Sequence, residues 1–103
     1  MGKQENVVES YLVKRLRDFG GLCFKFVSPG HAGVPDRLCV WSGVTFFVEC
    51  KTESGRLSAL QQHTINTMLH VGALVYVAHS KVEIDEILDT ILNIIKREHE
   101  YDD

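Results

Sequence analysis

Two short runs of apolar, β-branched and aromatic residues constrain the fold of this chain more than any other feature of its sequence. They cover residues 37–41 and 44–51, and only Ser42 and Gly43 separate them. A two-residue connection of this kind is typical of a β-hairpin. With these two residues as the loop, facing residues have numbers that sum to 85. The sequence therefore predicts an antiparallel pair of strands and also its register.

The remaining segments predict helices and strands around this hairpin. Ser58 and Gln61 have the spacing of a capping box, which marks the start of a helix. The predicted elements are a helix over 5–19, a strand over 22–27, the hairpin, a helix from Ser58 to Gly72, a strand over 73–78 and a helix after Ser80. This order, αβββαβα, predicts an α/β fold with a mixed central β-sheet flanked by helices.

The size and composition of the chain favour one small intracellular domain. Its 103 residues can bury one core, and no apolar run approaches the roughly 18 residues of a membrane span. The first ten residues lack the apolar stretch of a signal peptide, so we expect no membrane association. Cys23, Cys39 and Cys50 lie in predicted strands without a CxxC pair, which indicates reduced thiols rather than a zinc site.

The charges are unevenly distributed along the chain. The formal net charge is -3, but residues 1–80 hold eight Lys or Arg against six Asp or Glu, whereas residues 81–103 hold three against eight. The acidity therefore belongs mostly to the C-terminal segment. We expect any phosphate-binding surface within the first 80 residues.

The hairpin register places two carboxylates face to face. Asp36 falls opposite Glu49, and Lys51 lies two residues further along on the same face as Glu49. Two facing carboxylates repel each other unless a cation lies between them. A site built only from oxygen ligands suits Mg²⁺ or Mn²⁺, and such a metal beside a lysine is suited to phosphodiester hydrolysis. The alternative is that Pro35 and Asp36 form a simple turn beside an exposed strand, and a three-residue loop would shift the register by one.

Three motifs resemble those of the VRR-NUC family of the PD-(D/E)XK nuclease superfamily. They are the segments GVPDR at 33–37, FVECK at 47–51 and LSALQ at 57–61. The resemblance implies that residues 1–103 form one nuclease domain with a restriction-endonuclease-like core. It also implies a Mg²⁺- or Mn²⁺-dependent, structure-selective DNA endonuclease without a small-molecule cofactor. Small members of this family are similar to Holliday-junction-resolving nucleases that act as dimers on branched or flapped DNA, so a homodimer is expected.

The resemblance also implies roles for individual residues. Asp36 and Glu49 match metal ligands, Lys51 matches a catalytic lysine, and Gln61 and a glutamate of the first helix complete the site. Helical spacing does not decide whether Glu5 or Glu9 is this glutamate, but the family pattern favours Glu9 as a third metal ligand. Gln61 has a second explanation, because the capping box alone would account for it.

The basic residues near these motifs are candidates for binding DNA. We expect the DNA contacts to come from Lys25, Ser28, Arg37 and Arg56. Three basic residues of the first helix could bind DNA but would fit a solvent-exposed face equally well: Lys14, Arg15 and Arg17. The wide apolar face of the last helix is a candidate dimer interface, with the 30–33 loop and a sheet edge as the alternative.

Two other functions are compatible with the sequence. The first is a non-catalytic DNA-binding or assembly module that keeps the nuclease fold, although the intact set of Asp36, Glu49 and Lys51 argues against it. The second is an unrelated α/β protein-interaction domain, which a metal-dependent change in melting temperature would exclude. If the source is a bacterium or a phage, we expect the protein to lie in the cytoplasm.

Overall fold

A computed structural model describes the backbone of residues 3–100 and the side chains of residues 7–100. The elements are helix α1 (Lys3–Asp18), strands β1 (Leu22–Lys25), β2 (Arg37–Trp41) and β3 (Val44–Cys50), helix α2 (Ala59–His70), strand β4 (Val75–Ala78) and helix α3 (Lys81–Glu100). The predicted order αβββαβα is therefore confirmed. None of the helices within this described part of the chain is both long and apolar enough to cross a membrane.

The hairpin forms as the two-residue turn predicts. Ser42 and Gly43 both have positive φ angles, 51° and 85°, which is the backbone conformation of a type I′ turn. Trp41 faces Val44 across this turn, and the pairing continues to Arg37 opposite Val48. Every pair in the ladder has numbers that sum to 85, so the predicted register is confirmed.

The four strands form one mixed sheet in the order β1, β2, β3, β4. The first two pairings are antiparallel, whereas β3 and β4 run parallel and are connected through α2. A parallel pair needs a crossover connection, which this helix supplies. The mixed sheet predicted from the sequence is thus confirmed.

Helices α1 and α3 cover one face of the sheet. Leu12, Leu16, Phe46, Ile84 and Ile91 are completely buried there and belong to one hydrophobic cluster. Burying a side chain of this size stabilises the fold by about 1.5–3 kcal/mol. This cluster fixes α1 against the sheet and so determines where the polar residues of α1 lie.

Helix α2 lies on the other face of the sheet, where it packs against the loop that precedes β2. Gly33 in this loop has a φ of +97°, and an added Cβ atom would lie 2.9 Å from Thr64 Oγ1 and 3.0 Å from Leu60 Cγ. Glycine is therefore required both by the backbone and by the close approach of the helix. The contact holds the loop, and the Pro35-Asp36 segment at its end, against α2.

The predicted dimer interface on the last helix is not supported. Its apolar residues Ile84, Ile87, Leu88, Ile91 and Ile95 are buried within this one chain, because α1 and the sheet cover them together. The apolar face is wide because it packs against two layers rather than one. Two apolar side chains of the edge strand β1, Leu22 and Phe24, are exposed and offer another apolar surface.

Candidate active site

Asp36 and Glu49 meet just beyond the end of the β2–β3 ladder. The backbone N–H of Asp36 donates a hydrogen bond to Glu49 Oε1 at 3.1 Å. In return, Asp36 Oδ1 accepts a hydrogen bond of 3.2 Å from the backbone N–H of Cys50. The hairpin therefore brings together the two carboxylates that the sequence predicts to face each other.

Burial and the closeness of the two carboxylates disfavour the ionisation of Asp36. Glu49 is buried. Burial of Asp36, together with the nearby charge of Glu49, raises the pKa of Asp36 to about 7, although the hydrogen bond from Cys50 opposes this shift. Burial and a neighbouring like charge both disfavour an ionised carboxyl group. A cation that contacts both carboxylates would remove the repulsion and restore two charged oxygen ligands.

Lys51 is the cation nearest to Glu49 in the hairpin. Its Nζ lies 3.4 Å from Glu49 Oε2, and its side chain is only 15% exposed. The backbone supports this position, because the N–H of Lys51 donates to the carbonyl of Ala78 at 2.8 Å and extends the parallel pairing to β4. The predicted shared face of Glu49 and Lys51 is therefore confirmed, since Cys50, which lies between them in the strand, is buried in the core on the other face, as is Val48.

Gln61 takes part in both of the arrangements considered for it. Its backbone N–H donates to Ser58 Oγ at 3.0 Å, and its Oε1 accepts from the backbone N–H of Ser58 at 2.9 Å, which completes the capping box of α2. Its Nε2 also donates to Glu49 Oε2 at 3.2 Å. The cap thus holds the amide group in the orientation in which it contacts the carboxylate.

Glu9 occupies a separate ionic cluster. It is buried, and its Oε2 accepts from Lys25 Nζ at 3.0 Å and from Arg37 Nε at 2.7 Å. Burial alone would raise the pKa of Glu9, but the hydrogen bonds and charges of these two cations hold it below its usual value. The side chain of Glu5, the alternative on the same helix, lies outside the described side chains.

The structure does not unite the three carboxylates expected as metal ligands. Among the side chains described, no group of three or more His, Cys, Asp or Glu residues is placed to hold a metal ion. Asp36 and Glu49 form a pair, whereas Glu9 is held by two cations. The pair fits a hard divalent cation of the Mg²⁺ or Mn²⁺ type, because such ions take oxygen ligands and keep several waters in their coordination shell.

The residues expected to bind DNA have different environments. Lys25 is 61% exposed and Arg37 only 19% exposed, although both contact the same oxygen of Glu9. Ser28 is half-buried in the loop after β1, and Arg56 is exposed in the segment between β3 and α2. Lys25 and Arg56 are therefore available to a ligand, whereas Arg37 also has a structural role.

The cluster around Glu9 was not predicted from the sequence. It depends on the register of β1 and β2, which places Lys25 opposite Arg37. Eleven residues, 26–36, connect these two positions, and no turn rule fixes a register across a loop of that length. The only available signal was that Glu9 lies near the apolar stripe of a helix that must pack on the sheet.

A hairpin that presents two carboxylates and a lysine, on a mixed sheet between helices, is the arrangement expected of a nuclease of the PD-(D/E)XK type. No protein-family model matches the chain. A curated protein from Acyrthosiphon pisum secondary endosymbiont phage 1, described as "Putative nuclease p44", is 36% identical over 89 residues, which cover 85% of this chain and 95% of that protein. A solved structure described as "VRR_NUC domain" matches with a TM-score of 0.80 and 30% sequence identity. The match covers 85% of this chain and 97% of the chain in that structure. The chain belongs to the VRR-NUC family of nucleases.

Proposed function

We propose that this nuclease is a Mg²⁺- or Mn²⁺-dependent DNA endonuclease that acts on branched or flapped DNA, in the manner of a Holliday-junction resolvase. The observation that carries this proposal is the pair of Asp36 and Glu49 with Lys51 beside it, because two adjacent carboxylates offer oxygen ligands to a divalent cation next to an amine. The exposed Lys25 and Arg56 support DNA as the substrate, since phosphate contacts dominate nucleic-acid affinity.

The residues of the site have distinct tasks in this proposal. Asp36 and Glu49 would hold the metal, which when bound supplies positive charge to a phosphate oxygen and lowers the pKa of a water. Lys51 stabilises negative charge that develops on the phosphate or on the attacking oxygen. Gln61 orients Glu49 through its Nε2, and the capping box keeps that amide in place. Glu9 positions Lys25 and Arg37 and is not a metal ligand in this arrangement.

The test is a cleavage assay on matched DNA substrates. Purified protein is incubated with four-way junction, flap, single-stranded and linear duplex DNA, with Mn²⁺, with Mg²⁺ or with EDTA. We expect internal cuts in the junction or flap DNA with either metal and none with EDTA. Cleavage that EDTA does not affect would contradict metal dependence, and equal rates on linear duplex would contradict structure selectivity. DNA binding without any cleavage would instead favour the non-catalytic module.

We also propose that the protein acts as a homodimer through the open face of β1. Leu22 and Phe24, on one face of this edge strand, are 53% and 55% exposed, whereas Cys23 between them faces the core cluster. A second copy of the chain would cover this apolar surface and bring two active sites to one branched DNA.

Sedimentation equilibrium at tens of micromolar tests the dimer. We expect the wild type to be a dimer and Phe24→Lys to be a folded monomer. Val82→Lys is the matched control, because Val82 is also an exposed apolar residue but lies on α3. A wild-type monomer with full activity on four-way junctions would contradict the dimer, and a dimer that survives Phe24→Lys would exclude this interface.

A further inference from the structure

A basic cavity lies beside α1, next to the residues that hold Glu9. Its volume is about 480 Å³, and the residues that line it are Ser10, Val13, Lys14, Arg17 and Arg37. Three of these five side chains are cationic, in a chain whose net charge is -3. The excess of positive charge is therefore local and faces into a concave surface.

The helix places three of these residues in one row. Ser10, Lys14 and Arg17 are separated by four and three positions, which puts them on the same face of α1 over about 10 Å. Arg37 closes the cavity from the sheet side, where its Nε is fixed 2.7 Å from Glu9. Strand alternation turns the side chain of Asp36, the preceding residue, to the other face of the sheet, but Asp36 lies close enough to interact electrostatically with Arg37.

The acidic neighbours leave this charge available to a ligand. Lys14 contacts Asp18 at 3.1 Å, but both side chains are exposed, and exposed pairs of this kind contribute little free energy. The charge of Glu9 is shared between Lys25 and Arg37. A phosphate group can therefore displace the Asp18 contact without leaving a buried charge unpaired.

We propose that this cavity binds a backbone phosphate of the DNA strand at a position away from the bond that is cut. The inference rests on the proposed function and deepens it, because it assigns the path by which the DNA approaches the site. The strand would run along α1, past Lys14 and Arg17, and reach Asp36 by way of Arg37. The hydroxyl of Ser10 supplies a neutral donor at the same phosphate.

The test measures DNA affinity against salt concentration in EDTA, where the DNA stays intact. The double variant Lys14→Ala, Arg17→Ala should bind junction DNA about tenfold more weakly. The slope of log Kd against log salt should fall by about 1, because one lost phosphate contact removes about 0.9. The control variant is Lys96→Ala, Arg97→Ala, which also removes two positive charges. These two residues lie near the C-terminal end of α3, about 20 Å along that helix from Lys81.

The outcomes separate this inference from the proposed function. If the double variant matches the control in affinity and slope while the wild type binds and cuts DNA, the cavity is not a phosphate site and the proposed function stands. If the wild type neither binds nor cuts DNA, both fail. The Mn²⁺-induced rise in melting temperature should be the same in wild type and double variant, which shows that the metal site is intact.

A second inference rests on two cysteines that lie directly opposite each other on the adjacent strands β1 and β2. Cys23 and Cys39 are paired in the register of β1 and β2, and their sulfur atoms lie 3.8 Å apart. The N–H of Phe26 donates to the carbonyl of Asp36 at 2.8 Å, so the alternation of an antiparallel ladder makes Cys23 and Cys39 a pair without backbone hydrogen bonds. Such pairs have Cα atoms about 4.5 Å apart, within the range that a disulfide spans.

The environments of the two thiols differ in a way that suits oxidation. Cys39 is completely buried, whereas Cys23 is half-buried on the edge strand. The hydrogen bond from Cys39 lowers the pKa of Cys23, and Arg37 adds to this effect although burial opposes it. The same hydrogen bond and burial raise the pKa of Cys39. Cys23 is thus the more reactive thiol and Cys39 the residue that can resolve its oxidation product.

The geometry points to a site of reversible oxidation by peroxide. The Cys23 thiolate attacks one oxygen of hydrogen peroxide, which forms an S–O bond, breaks the O–O bond and releases hydroxide. The Cys39 sulfur then attacks the Cys23 sulfenic acid, which forms the S–S bond and releases water as the Cys39 proton is lost. Two thiols are oxidised and one peroxide is reduced to two waters. The next pair on the same face is Lys25 and Arg37, so the disulfide would fix the spacing of the strands beside the Glu9 cluster.

Thiol counting after peroxide treatment tests this inference. We expect wild-type protein, denatured after treatment, to show one free thiol instead of three, a mass lower by about 2 Da, and no cross-linked chains on a non-reducing gel, all reversed by dithiothreitol. Peptide mapping should join Cys23 to Cys39, and Cys23→Ser should not lose its thiols in this way. A disulfide between chains, a pairing with Cys50, or oxidation of Cys23 to the sulfinic acid while Cys39 stays reduced would overturn it.

Discussion

Replacement of Asp36 by asparagine should stabilise the metal-free protein at neutral and alkaline pH. The substitution removes the charge that repels Glu49 but keeps the shape of the side chain. Asn Oδ1 can still accept the hydrogen bond from the N–H of Cys50, and the backbone N–H of residue 36 still donates to Glu49. The change therefore isolates the electrostatic cost of the second carboxylate.

The size and sign of the effect follow from the pKa of Asp36, which rises from 3.8 to about 7 on folding. A shift of about 3 units corresponds to about 4 kcal/mol, and because the side chain is only partly buried, solvent screening reduces this to about 2 kcal/mol. The raised pKa in the folded state means that the unfolded chain releases its proton first. The wild type thus loses stability as the pH rises from about 4 to 7, and the cost is complete above that range.

Urea unfolding in EDTA at pH 4.5 and at pH 8 measures this difference. The variant should be about 2 kcal/mol more stable than the wild type at pH 8, and the difference should be much smaller at pH 4.5. Saturating Mn²⁺ at pH 8 should stabilise the wild type strongly and the variant little, since metal binding to the folded state adds RT ln(1 + [L]/Kd). Equal or lower stability of the variant at pH 8 in EDTA would show that the charge of Asp36 does not destabilise the folded protein.

Three further substitutions separate the roles of neighbouring residues. Lys51→Ala should lower the single-turnover cleavage rate by about 100-fold or more but change DNA affinity less than about threefold. The reason is that Lys51 acts on charge that develops in the transition state. A loss of affinity without a loss of rate would make Lys51 a phosphate contact. Gln61→Glu keeps the acceptor of the capping box but turns a carboxylate toward Glu49, so the cleavage rate should fall about tenfold. Ser58→Ala should lower the free energy of unfolding in urea by about 1 kcal/mol and leave the cleavage rate unchanged. Gly33→Ala should destabilise the protein by about 1–3 kcal/mol in the same assay, because it imposes a strained φ angle and a clash with α2.

The part of the site that the sequence predicted depends on one short turn. Two residues with positive φ angles fix the register of β2 and β3, and that register alone places Asp36 beside Glu49 and Lys51 on the same face. Local rules suffice here because a two-residue loop leaves one pairing, and a slip of one residue would bury the polar face. The capping box of α2 is local in the same sense, so Ser58 and Gln61 were also predicted correctly.

The remainder of the site depends on contacts between distant segments. Glu9 meets Lys25 and Arg37 because α1 packs on the sheet and a long loop sets the β1–β2 register, and neither can be deduced from periodicity. The apolar face of α3 showed how much surface must be buried but not which layers bury it. For the same reason, the sequence could not show whether Gln61 contacts Glu49 or only caps α2.

We propose that Asp36 and Glu49 act together as the catalytic metal site, and the cleavage rate of the variant Glu49→Gln is the decisive measurement. The measurement compares the single-turnover rate on the best DNA substrate in Mn²⁺ for wild type, Glu49→Gln and Glu53→Gln, the last being an exposed glutamate on the following loop. We expect normal cleavage by wild type and Glu53→Gln, and no detectable cleavage by Glu49→Gln, which should remain folded by circular dichroism. Cleavage by folded Glu49→Gln at the wild-type rate would contradict it.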